Sequence, residues 1–494
     1  MSESAKTDPS IWDVVIVGAG VVGAAIARRL SRLDLNVAVV EKHWDVGEGA
    51  SCRNSGVLHS GIYYAPNSLR SKLCMAGREL FEDWCHELGV PVRTPGKLVV
   101  AQDPRELPKL DVLERQGEAN GVSGLRRLSG SEIEDLQPGI KAVAALHVPS
   151  AGIVTPYAAT IAFAEDAAIH GVRFFLGREL QWATVEHGIF RLGTSQGEMR
   201  SRWLINAAGV HSDAVARNLD PDVPTVYPCR GEYLVLDKTA GERLKMLVYP
   251  VPPTREGGLG IHVSPTVEGN VLAGPSAEYG FEAEDHACTE FVGERLIREA
   301  RAYWPGIVQE QVIGAYAGVR AKLSPPEVGG ARDFHIRESK RARGLVNLIG
   351  LESPALTAAP AIAELVVDEM IGARERLEPK EEGVLPSYRW PPRFDDLPED
   401  EKRRRVEQTA DHGEIVCRCE GVTRYEVLRA LKNPLGVKTL AGLKYRTRLT
   451  MGRCGGSYCL PRIVSILQEE CGWNPEQFVL KDAQSPLFAG WVKG

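Results

Sequence analysis

A glycine-rich turn near the start of the chain constrains the fold more than any other feature. The apolar, β-branched residues 11–17 are typical of a buried strand, and they lead directly into Gly18-Ala-Gly-Val-Val-Gly23. A helix is predicted over residues 21–33, and a second strand over residues 36–40 ends at Glu41. The pattern predicts a complete βαβ unit of the kind that starts a doubly wound parallel sheet.

Each glycine of this turn has its own physical reason. Gly18 permits the tight turn out of the strand, Gly20 lets the backbone approach a pyrophosphate, and Gly23 lets helix and strand pack closely. The helix N-terminus then presents free N–H groups to phosphate oxygens. Glu41, at the end of the second strand, is placed to accept hydrogen bonds from a ribose with a free 2′-OH. The unit therefore predicts a dinucleotide site.

The composition is that of a large globular protein. Of 494 residues, 44% are hydrophobic and 25% are charged, which excludes a disordered, collagenous or coiled-coil chain. The formal net charge of −6 argues against a nucleic-acid partner. No run reaches the ~18 apolar residues of a membrane span, and residues 1–10 lack the pattern of a secretory signal. We expect a cytoplasmic protein, and peripheral association with a membrane stays open.

Beyond the first unit, short apolar runs predict an α/β core that a more β-rich region interrupts. The predicted strands cover residues 97–100, 172–176, 203–206, 231–236 and 345–349. A long amphipathic helix is predicted from Asn67 or Ser68 to Leu88. The proline-containing, highly charged residues 378–412 indicate a linker or surface strap. Residues 413–494 form a separate unit with 12 Lys and Arg against 7 Asp and Glu.

Three further turns of small residues point to the kind of cofactor. They are Ser51-Cys-Arg-Asn-Ser-Gly56, Ala207-Ala-Gly209 and the segment from Gly350 to Thr357. Several such turns at strand ends are typical of an extended cofactor and favour FAD over NAD. Ordinary strand ends are the alternative interpretation.

Together these motifs resemble the FAD-dependent D-amino-acid-oxidase-like superfamily. Five strings are similar to its L-2-hydroxyglutarate dehydrogenase branch: Asn54-Ser-Gly-Val-Leu-His-Ser-Gly-Ile-Tyr-Tyr64, Arg230-Gly-Glu-Tyr233, Tyr249-Pro-Val-Pro252, Leu259-Gly-Ile-His262 and Ala317-Gly-Val-Arg-Ala321. The resemblance covers roughly residues 11–375 and implies bound FAD and an interleaved substrate domain. The flavin site that it implies consists of Gly18, Gly20, Gly23, Glu41, Ser51, Asn54, Ser55, Gly56, Leu180, Ala208, Gly209, Gly350, Leu351, Ser353, Leu356 and Thr357.

Two histidines and two arginines are the predicted reaction centre. A flavin enzyme that oxidises a secondary alcohol needs a base for the hydroxyl proton and cations for an anionic substrate. His59 follows the flavin loop and is the predicted base, and His262, in a glycine-flanked strand, is the alternative. Arg320 and Arg230 are the predicted anion-binding residues, because a guanidinium pairs with a carboxylate or phosphate through two hydrogen bonds. A purely structural role stays open for each of the four.

Four cysteines of the last unit form a predicted metal site. Cys417 and Cys419 precede Cys454 and Cys459 by a helix-length segment. Four thiolates hold either a [2Fe–2S] centre or zinc, although zinc sites more often use Cys-x-x-Cys pairs. Thiols without a metal are the third alternative. The unit resembles the bacterioferritin-associated-ferredoxin-like [2Fe–2S] domain, in particular the version that ends the larger subunit of anaerobic glycerol-3-phosphate dehydrogenases. The resemblance implies a [2Fe–2S] cluster on these thiolates, whose negative charge nearby arginines should offset: Arg418, Arg446, Arg448 and Arg453.

These inferences predict the following division of the chain: an FAD-binding domain over residues 1–90, 145–215 and 320–376, a substrate domain over 91–144 and 216–319, a linker over 377–412 and a [2Fe–2S] domain over 413–494. The predicted fold is an α/β Rossmann-like domain with an interleaved β-rich domain and a small α-rich domain. The predicted activity is oxidation of a small anionic secondary alcohol, such as L-2-hydroxyglutarate or glycerol 3-phosphate. Electrons would pass through the cluster to a quinone or a partner redox subunit. Amine or amino-acid oxidation and a non-catalytic flavin module are the alternatives.

Overall fold

The computed structural model describes residues 9–252, 258–380 and 387–490. Residues 1–8 of the polar N-terminus and Pro386 of the predicted linker lie outside the described residues. Within these ranges, no helix combines the length and apolar character that crossing a membrane requires. Two large β-sheets account for most of the strands, and the cysteine-containing unit follows them.

The first sheet is built on the predicted βαβ unit. Its five parallel strands lie in the spatial order Arg173–Leu176, Val37–Glu41, Trp12–Val17, Gly197–Asn206 and Leu345–Ile349. Three antiparallel strands complete it, namely His335–Glu338, Leu180–Glu186 and Ile189–Thr194. The apolar runs predict the central strands correctly because both faces of this sheet are covered, and the α/β fold class is confirmed.

Four helices pack together on one face of this sheet: Val21–Leu30, Leu69–Leu88, Pro156–Ile169 and Ala355–Glu364. The predicted long helix is confirmed. It begins after Ser68, whose side chain accepts a hydrogen bond from the Ser71 N–H, and it ends at Gly89 in the left-handed conformation. The helix that starts at Ala355 continues as wider helical turns over Leu365–Ile371.

The second sheet carries the predicted β-rich region. Eight of its nine strands lie in the order Glu278–Tyr279, Tyr227–Leu236, Val271–Gly274, His262–Pro265, Leu247–Pro250, Lys97–Ala101, Ala144–Val148 and Arg126–Ser129, and the ninth, Val312–Lys322, pairs along Tyr227–Leu236. The helices beside it are Leu107–Ala119, Gly130–Leu136, Lys238–Gly241 and Glu290–Tyr303. The remaining short elements are the helix Ser212–Arg217 and a small sheet of Val57–Leu58, Gly152–Val154 and Val92–Arg93.

The predicted division into domains stays a prediction. The chain passes repeatedly between the two sheets, as an interleaved arrangement requires. Strands Ala144–Val148 and Val312–Lys322 both belong to the second sheet and lie at the predicted boundaries at residues 145 and 320.

The predicted linker contains one helix that sequence patterning missed. Glu399–Gln408 is helical, with acidic residues in its first turn and Arg405 in its last, but none of its residues is buried. Without an apolar stripe it has no helical periodicity to detect. Ion pairs one turn apart, such as Arg405 with Glu401, support it instead.

The cysteine-containing unit has its own small core. Its helices are Arg424–Leu431, Leu440–Thr447 and Cys459–Cys471, and its two short strands are Ile415–Cys417 and Val422–Thr423. Val416, Val427, Ile463 and Phe478 are among its buried residues. The first helix begins with a capping box between Thr423 and Glu426.

Candidate active site

The glycine-rich turn has the close contacts that its prediction requires. Gly18 has a φ of 101°, and a Cβ there would lie 2.5 Å from the Ala207 carbonyl oxygen. A Cβ on Gly23 would lie 2.0 Å from the Gly18 carbonyl oxygen, so this helix–strand contact needs glycine. A Cβ on Gly20 would meet only Ser51 Oγ, at 3.1 Å. The turn therefore fits the pyrophosphate of a dinucleotide.

Two side chains fix the geometry around this turn. Ser51 Oγ accepts a hydrogen bond of 2.9 Å from the Val21 N–H in the first turn of the helix. The Glu41 carboxylate accepts hydrogen bonds from the Ala19 N–H at 2.7 Å and the His43 N–H at 2.9 Å. Burial raises the pKa of Glu41, whereas these two N–H groups oppose that rise. Glu41 thus lies beside the turn, where a ribose would follow the pyrophosphate.

The loop after the second strand is held by its own asparagine. Asn54 accepts a hydrogen bond from the Gly56 N–H and donates one to the Ser51 carbonyl oxygen, both at 2.8 Å. Gly56 has a φ of 66°, and a Cβ there would lie 2.2 Å from the Val154 carbonyl oxygen. The loop is therefore rigid where it faces the cavity.

One cavity of 1470 Å³ brings most of the predicted site residues together. It is larger than the roughly 300–1,000 Å³ of a common ligand pocket, as a dinucleotide plus a substrate requires. The predicted residues that line it are Gly18, Gly20, Glu41, Ser51, Asn54, Ser55, His59, Leu180, Ala208, Gly209, His262, Arg320, Leu351, Ser353 and Leu356. Those that do not line it are Gly23, Gly56, Arg230, Gly350 and Thr357.

His59 lies in the cavity wall and is held at both its backbone and its ring. Its N–H donates to Thr357 Oγ1 at 2.9 Å, and its Nε2 lies 3.1 Å from Ser353 Oγ. Its buried Nδ1 has no hydrogen-bond partner among the described residues. Burial lowers the pKa of His59 well below its ordinary value, and nearby positive charges, including Lys97 and Arg70, lower it further. The imidazole is therefore neutral.

The geometry fixes the tautomer of His262. Its ring stacks on Tyr249 with a centroid distance of 3.8 Å and an angle of 12°. Nδ1 lies 3.2 Å from the Gly260 carbonyl oxygen, and because a carbonyl only accepts, Nδ1 carries the proton. Nε2 then holds a lone pair, is buried, and has no hydrogen-bond partner in the described part of the chain. Burial lowers the pKa of His262 to about 3.

Arg320 is a cation in the wall of this cavity. It donates to the Ser276 carbonyl oxygen at 2.9 Å, and within residues 9–252, 258–380 and 387–490 it forms no ion pair. Its neighbours Arg70 and Lys322 both pair with Glu352, at 3.3 Å. A half-buried guanidinium that forms no ion pair within these ranges is suited to an anionic ligand.

Arg230 does not line the cavity and is paired with carboxylates elsewhere. It pairs with Glu232 at 3.0 Å and with Asp285 at 2.6 Å, and its guanidinium lies 3.6 Å from the centre of the Phe281 ring. Its predicted anion-binding role is not supported by this placement, because a substrate would have to displace two carboxylates.

Sequence reasoning missed two cations near the reaction centre. Arg70 lines the cavity and donates to the Ser353 carbonyl oxygen. Lys97 is completely buried beneath the wall that Tyr63 and Tyr249 form. The available signal was a lysine at the start of the apolar strand Lys97–Ala101, where a buried charge is unusual.

The four clustered cysteines form two contacting pairs. The thiol of Cys417 lies beside that of Cys459, and the thiol of Cys419 beside that of Cys454. The Cys459 thiol and nearby backbone N–H groups lower the pKa of Cys417. Two thiol pairs match the chemistry of a two-iron centre. Among the described residues, however, no three such side chains have the spacing of a metal-ion site.

Two arginines predicted to offset the cluster charge serve a different purpose. Arg446 pairs with Asp45 at 2.6 Å and with Glu165 at 2.8 Å, both outside the cysteine-containing unit. Arg448 pairs with Glu420 at 2.8 Å and also donates to Asn270 Oδ1 at 3.1 Å. These residues fix the unit against the rest of the chain. Of the four arginines predicted to offset the cluster charge, Arg418 and Arg453 are exposed.

Comparison with known proteins gives the family of both parts. Residues 13–369 match the family model described as FAD dependent oxidoreductase, and residues 415–469 match the BFD-like [2Fe-2S] binding domain. The chain is 36% identical over 467 residues to a glycerol 3-phosphate dehydrogenase of Caloramator mitchellensis, covering 94% of this chain and 95% of that protein. It is 34% identical over 409 residues to the mitochondrial L-2-hydroxyglutarate dehydrogenase of Arabidopsis thaliana, covering 73% and 83%.

A solved structure agrees with these relatives. The dithionite-reduced L-alpha-glycerophosphate oxidase of Mycoplasma pneumoniae with FAD bound superimposes with a TM-score of 0.72 at 30% identity, covering 78% of this chain and 100% of that one. These matches support both predicted cofactors. In the cysteine-containing unit they favour a [2Fe–2S] cluster over zinc. The chain belongs to the FAD dependent oxidoreductase family and carries a C-terminal BFD-like [2Fe-2S] binding domain.

Proposed function

We propose that this protein is a dehydrogenase of small anionic secondary alcohols that passes the electrons on from FAD to its own [2Fe–2S] cluster. The observation that carries the proposal is the shared cavity: the glycine-rich turn, two neutral histidines and an uncompensated arginine all line it. A dinucleotide seated on the turn would leave the histidine and arginine end for a substrate. Bound FAD supplies a two-electron acceptor, and the cluster supplies a one-electron carrier.

The histidines account for the proton. Oxidation of a secondary carbinol to a ketone removes the hydroxyl proton and the carbon-bound hydrogen with its electron pair. A neutral imidazole that faces the cavity accepts the hydroxyl proton. His59 is the proposed base, since Ser353 and Thr357 hold it beside the flavin segment. His262 is the alternative, because its Nε2 carries a lone pair and has no partner among the described residues.

Arg320 accounts for the anionic group of the substrate. The neighbouring cations share Glu352, whereas the Arg320 guanidinium donates to the Ser276 carbonyl oxygen and contacts the Cys229 thiol. A glycine at position 231 leaves space for it, since a Cβ there would lie 2.5 Å from its Nη2. A phosphate or carboxylate would complete its hydrogen bonding in a bidentate manner.

Glycerol 3-phosphate is our first candidate substrate and L-2-hydroxyglutarate is the second. The relative from Caloramator mitchellensis that is named for glycerol 3-phosphate matches this chain over both the flavin and the cluster domains. The relatives named for L-2-hydroxyglutarate match about three quarters of the chain. We propose Cys417, Cys419, Cys454 and Cys459 as the cluster ligands and a quinone or a partner redox subunit as the acceptor.

Anaerobic bleaching of the flavin tests this function. Purified holoenzyme is mixed without oxygen with glycerol 3-phosphate, L- and D-2-hydroxyglutarate, lactate, glycerol and amino acids, and flavin absorbance is followed. We expect fast bleaching by one anionic secondary alcohol and none by uncharged glycerol. Bleaching by an amino acid alone would favour the amine-oxidising alternative. Absence of bleaching by every compound would favour a non-catalytic electron carrier.

A further inference from the structure

Lys97 is a buried cation beside the active-site wall. Its side chain is completely inaccessible to solvent, and in the described part of the chain its Nζ has no hydrogen-bond acceptor. The Nζ lies 4.2 Å from the centre of the Tyr249 ring and 4.9 Å from that of Tyr63. Burial of an ammonium without an acceptor is costly, so a purely structural role would be served better by an apolar residue.

The register of the second sheet places Lys97 and His262 around the same tyrosine. The strand of Tyr249 lies between the strand of Lys97 and the strand of His262. On one side Tyr249 is opposite Val99, two residues after Lys97. On the other side Val248 is opposite Val263, so the next residues, Tyr249 and His262, are neighbours. Because side chains alternate between the faces of a sheet, Lys97, Tyr249 and His262 share one face. The Tyr249 ring therefore contacts the ammonium and the stacked imidazole together.

This arrangement disfavours protonation of His262. A second positive charge on the same aromatic ring, close to the first, would be repelled in a site with little water. The Gly260 carbonyl meanwhile keeps the proton of the neutral ring on Nδ1. The combination leaves a lone pair on Nε2 of a residue that lines the cavity, as an acceptor for a hydroxyl proton.

We propose that Lys97 is a positioning residue that acts through Tyr249: its buried charge adds to burial in keeping His262 neutral, so that Nε2 keeps its lone pair as the alternative acceptor of the substrate's hydroxyl proton. The proposal rests on the proposed function for the identity of that hydroxyl. It needs no contact between Lys97 and substrate.

The other groups around the two histidines are accounted for. Arg320 also lowers the pKa of His262, and Arg70 that of His59. The remaining titratable neighbours, Cys74, Tyr63, Tyr64 and Tyr249, have raised pKa values and stay uncharged near neutral pH. Burial lowers the pKa of Lys97 itself to about 7. The lysine is thus charged below pH 7, where a histidine of ordinary pKa would begin to protonate.

The test compares Lys97→Met with Lys97→Arg in FAD-loaded, substrate-free enzyme. Methionine keeps the length and the ring contacts without the charge, and arginine keeps the charge. Nitrogen-15 chemical shifts of labelled histidine, with His262→Gln for assignment, report the tautomer and pKa of His262 from neutral pH down to about pH 3. We expect wild type and Lys97→Arg to keep a neutral His262, protonated on Nδ1, until the pH approaches 3. In Lys97→Met the midpoint of the His262 titration should lie about one pH unit or more higher.

A kinetic measurement adds a second readout. With the substrate found by flavin bleaching, the acid limb of the flavin-reduction rate should move to higher pH in Lys97→Met and return in Lys97→Arg. An unchanged His262 titration in folded, flavin-loaded Lys97→Met overturns the proposal. If Lys97→Met does not accumulate as holoenzyme, Lys97→Gln serves in its place. The titration needs no substrate, so it decides the role of Lys97 even if the proposed activity fails.

Discussion

The Arg446 guanidinium donates hydrogen bonds to both carboxylate oxygens of Asp45, at 2.6 and 3.2 Å. Asp45 lies four residues after Glu41 in the nucleotide-site segment, whereas Arg446 lies between Cys419 and Cys454 in sequence. All groups of this pair are buried, and Glu165 completes it. The contact fixes the cluster domain directly against the flavin domain.

Removal of this contact should loosen the cluster domain. Asp45→Asn leaves the Arg446 charge partly unpaired in a buried site, which typically costs about 3–5 kcal/mol. Calorimetry should then show an earlier transition of the cluster domain, and proteolysis within residues 387–412 should accelerate. Arg453→Ala, which removes an exposed pair with Asp237, is the matched control and should change stability by less than about 1 kcal/mol. Equal effects of the two substitutions would contradict the docking role.

Loss of one cluster ligand should separate the two redox steps. Cys454→Ala removes one of four thiolates, so iron and acid-labile sulfide should fall from about two per chain towards zero. The flavin domain has its own core and should keep FAD. Substrate should still bleach the flavin in anaerobic stopped flow, while turnover with the physiological acceptor collapses. Cys471→Ala is the control, since Cys471 is exposed and lies outside the two thiol pairs.

The sequence predicts the buried parallel strands and the turns and caps beside them. Residues 345–349 were predicted as a strand with the observed bounds, because a parallel strand covered on both faces is an uninterrupted apolar run. The sequence also predicts the turn at Gly18 and a helix cap at Asn67 or Ser68, of which the structure selects Ser68, since backbone geometry dictates those residue types locally.

Residues whose role depends on distant partners were not predictable in this way. Arg230 and Arg320 occur in similar strand contexts, yet only three-dimensional packing gives Arg230 two carboxylates and leaves Arg320 without one. Arg446 is close to the cysteines in sequence, whereas its partner Asp45 is 401 residues away. The sequence therefore gives no sign of this contact. The helix Glu399–Gln408 has no buried residue and hence no apolar pattern.

Arg320 and Arg230 should respond differently to truncation. Arg320→Ala removes a charge-assisted bidentate pair with the substrate, worth on the order of 1.5–3 kcal/mol, so kcat/KM should fall ~10–150-fold at unchanged FAD content. Arg230→Ala should lower thermal stability and leave kcat/KM per bound flavin nearly unchanged. Steady-state kinetics normalised to flavin measure both. A loss of activity in Arg320→Ala that only parallels loss of flavin would make Arg320 structural.

The choice between the two histidines can be made by single-turnover kinetics. His59→Gln should slow flavin reduction by about 10²–10⁴-fold, the usual contribution of a general base, and it should leave flavin bound. His262→Gln should have a smaller effect because the single hydroxyl proton still goes to His59. If His262→Gln alone stops reduction, the base is His262.

The buried neutral histidines should make the protein sensitive to acid. The pKa of His262 is about 3 in the folded protein, whereas that of an ordinary histidine, as in the unfolded chain, is 6.5. The unfolded chain therefore binds the additional proton between these values, and stability falls as pH drops below 6.5. Each such histidine contributes at most about 1.4 kcal/mol per pH unit. In urea unfolding between about pH 7 and 5, His262→Gln should show a shallower loss of stability than wild type, and equal slopes would contradict a neutral His262.

The central claim is that electrons from an anionic alcohol reach the cluster through the flavin. The direct measurement is low-temperature electron paramagnetic resonance of holoenzyme frozen after anaerobic addition of the substrate that bleaches the flavin, with Cys454→Ala as a parallel sample. We predict the signal of a reduced [2Fe–2S] centre in the wild type, in step with flavin bleaching, and no such signal in Cys454→Ala. A wild-type sample whose flavin is fully bleached by excess substrate, but whose intact cluster stays oxidised, would contradict the account.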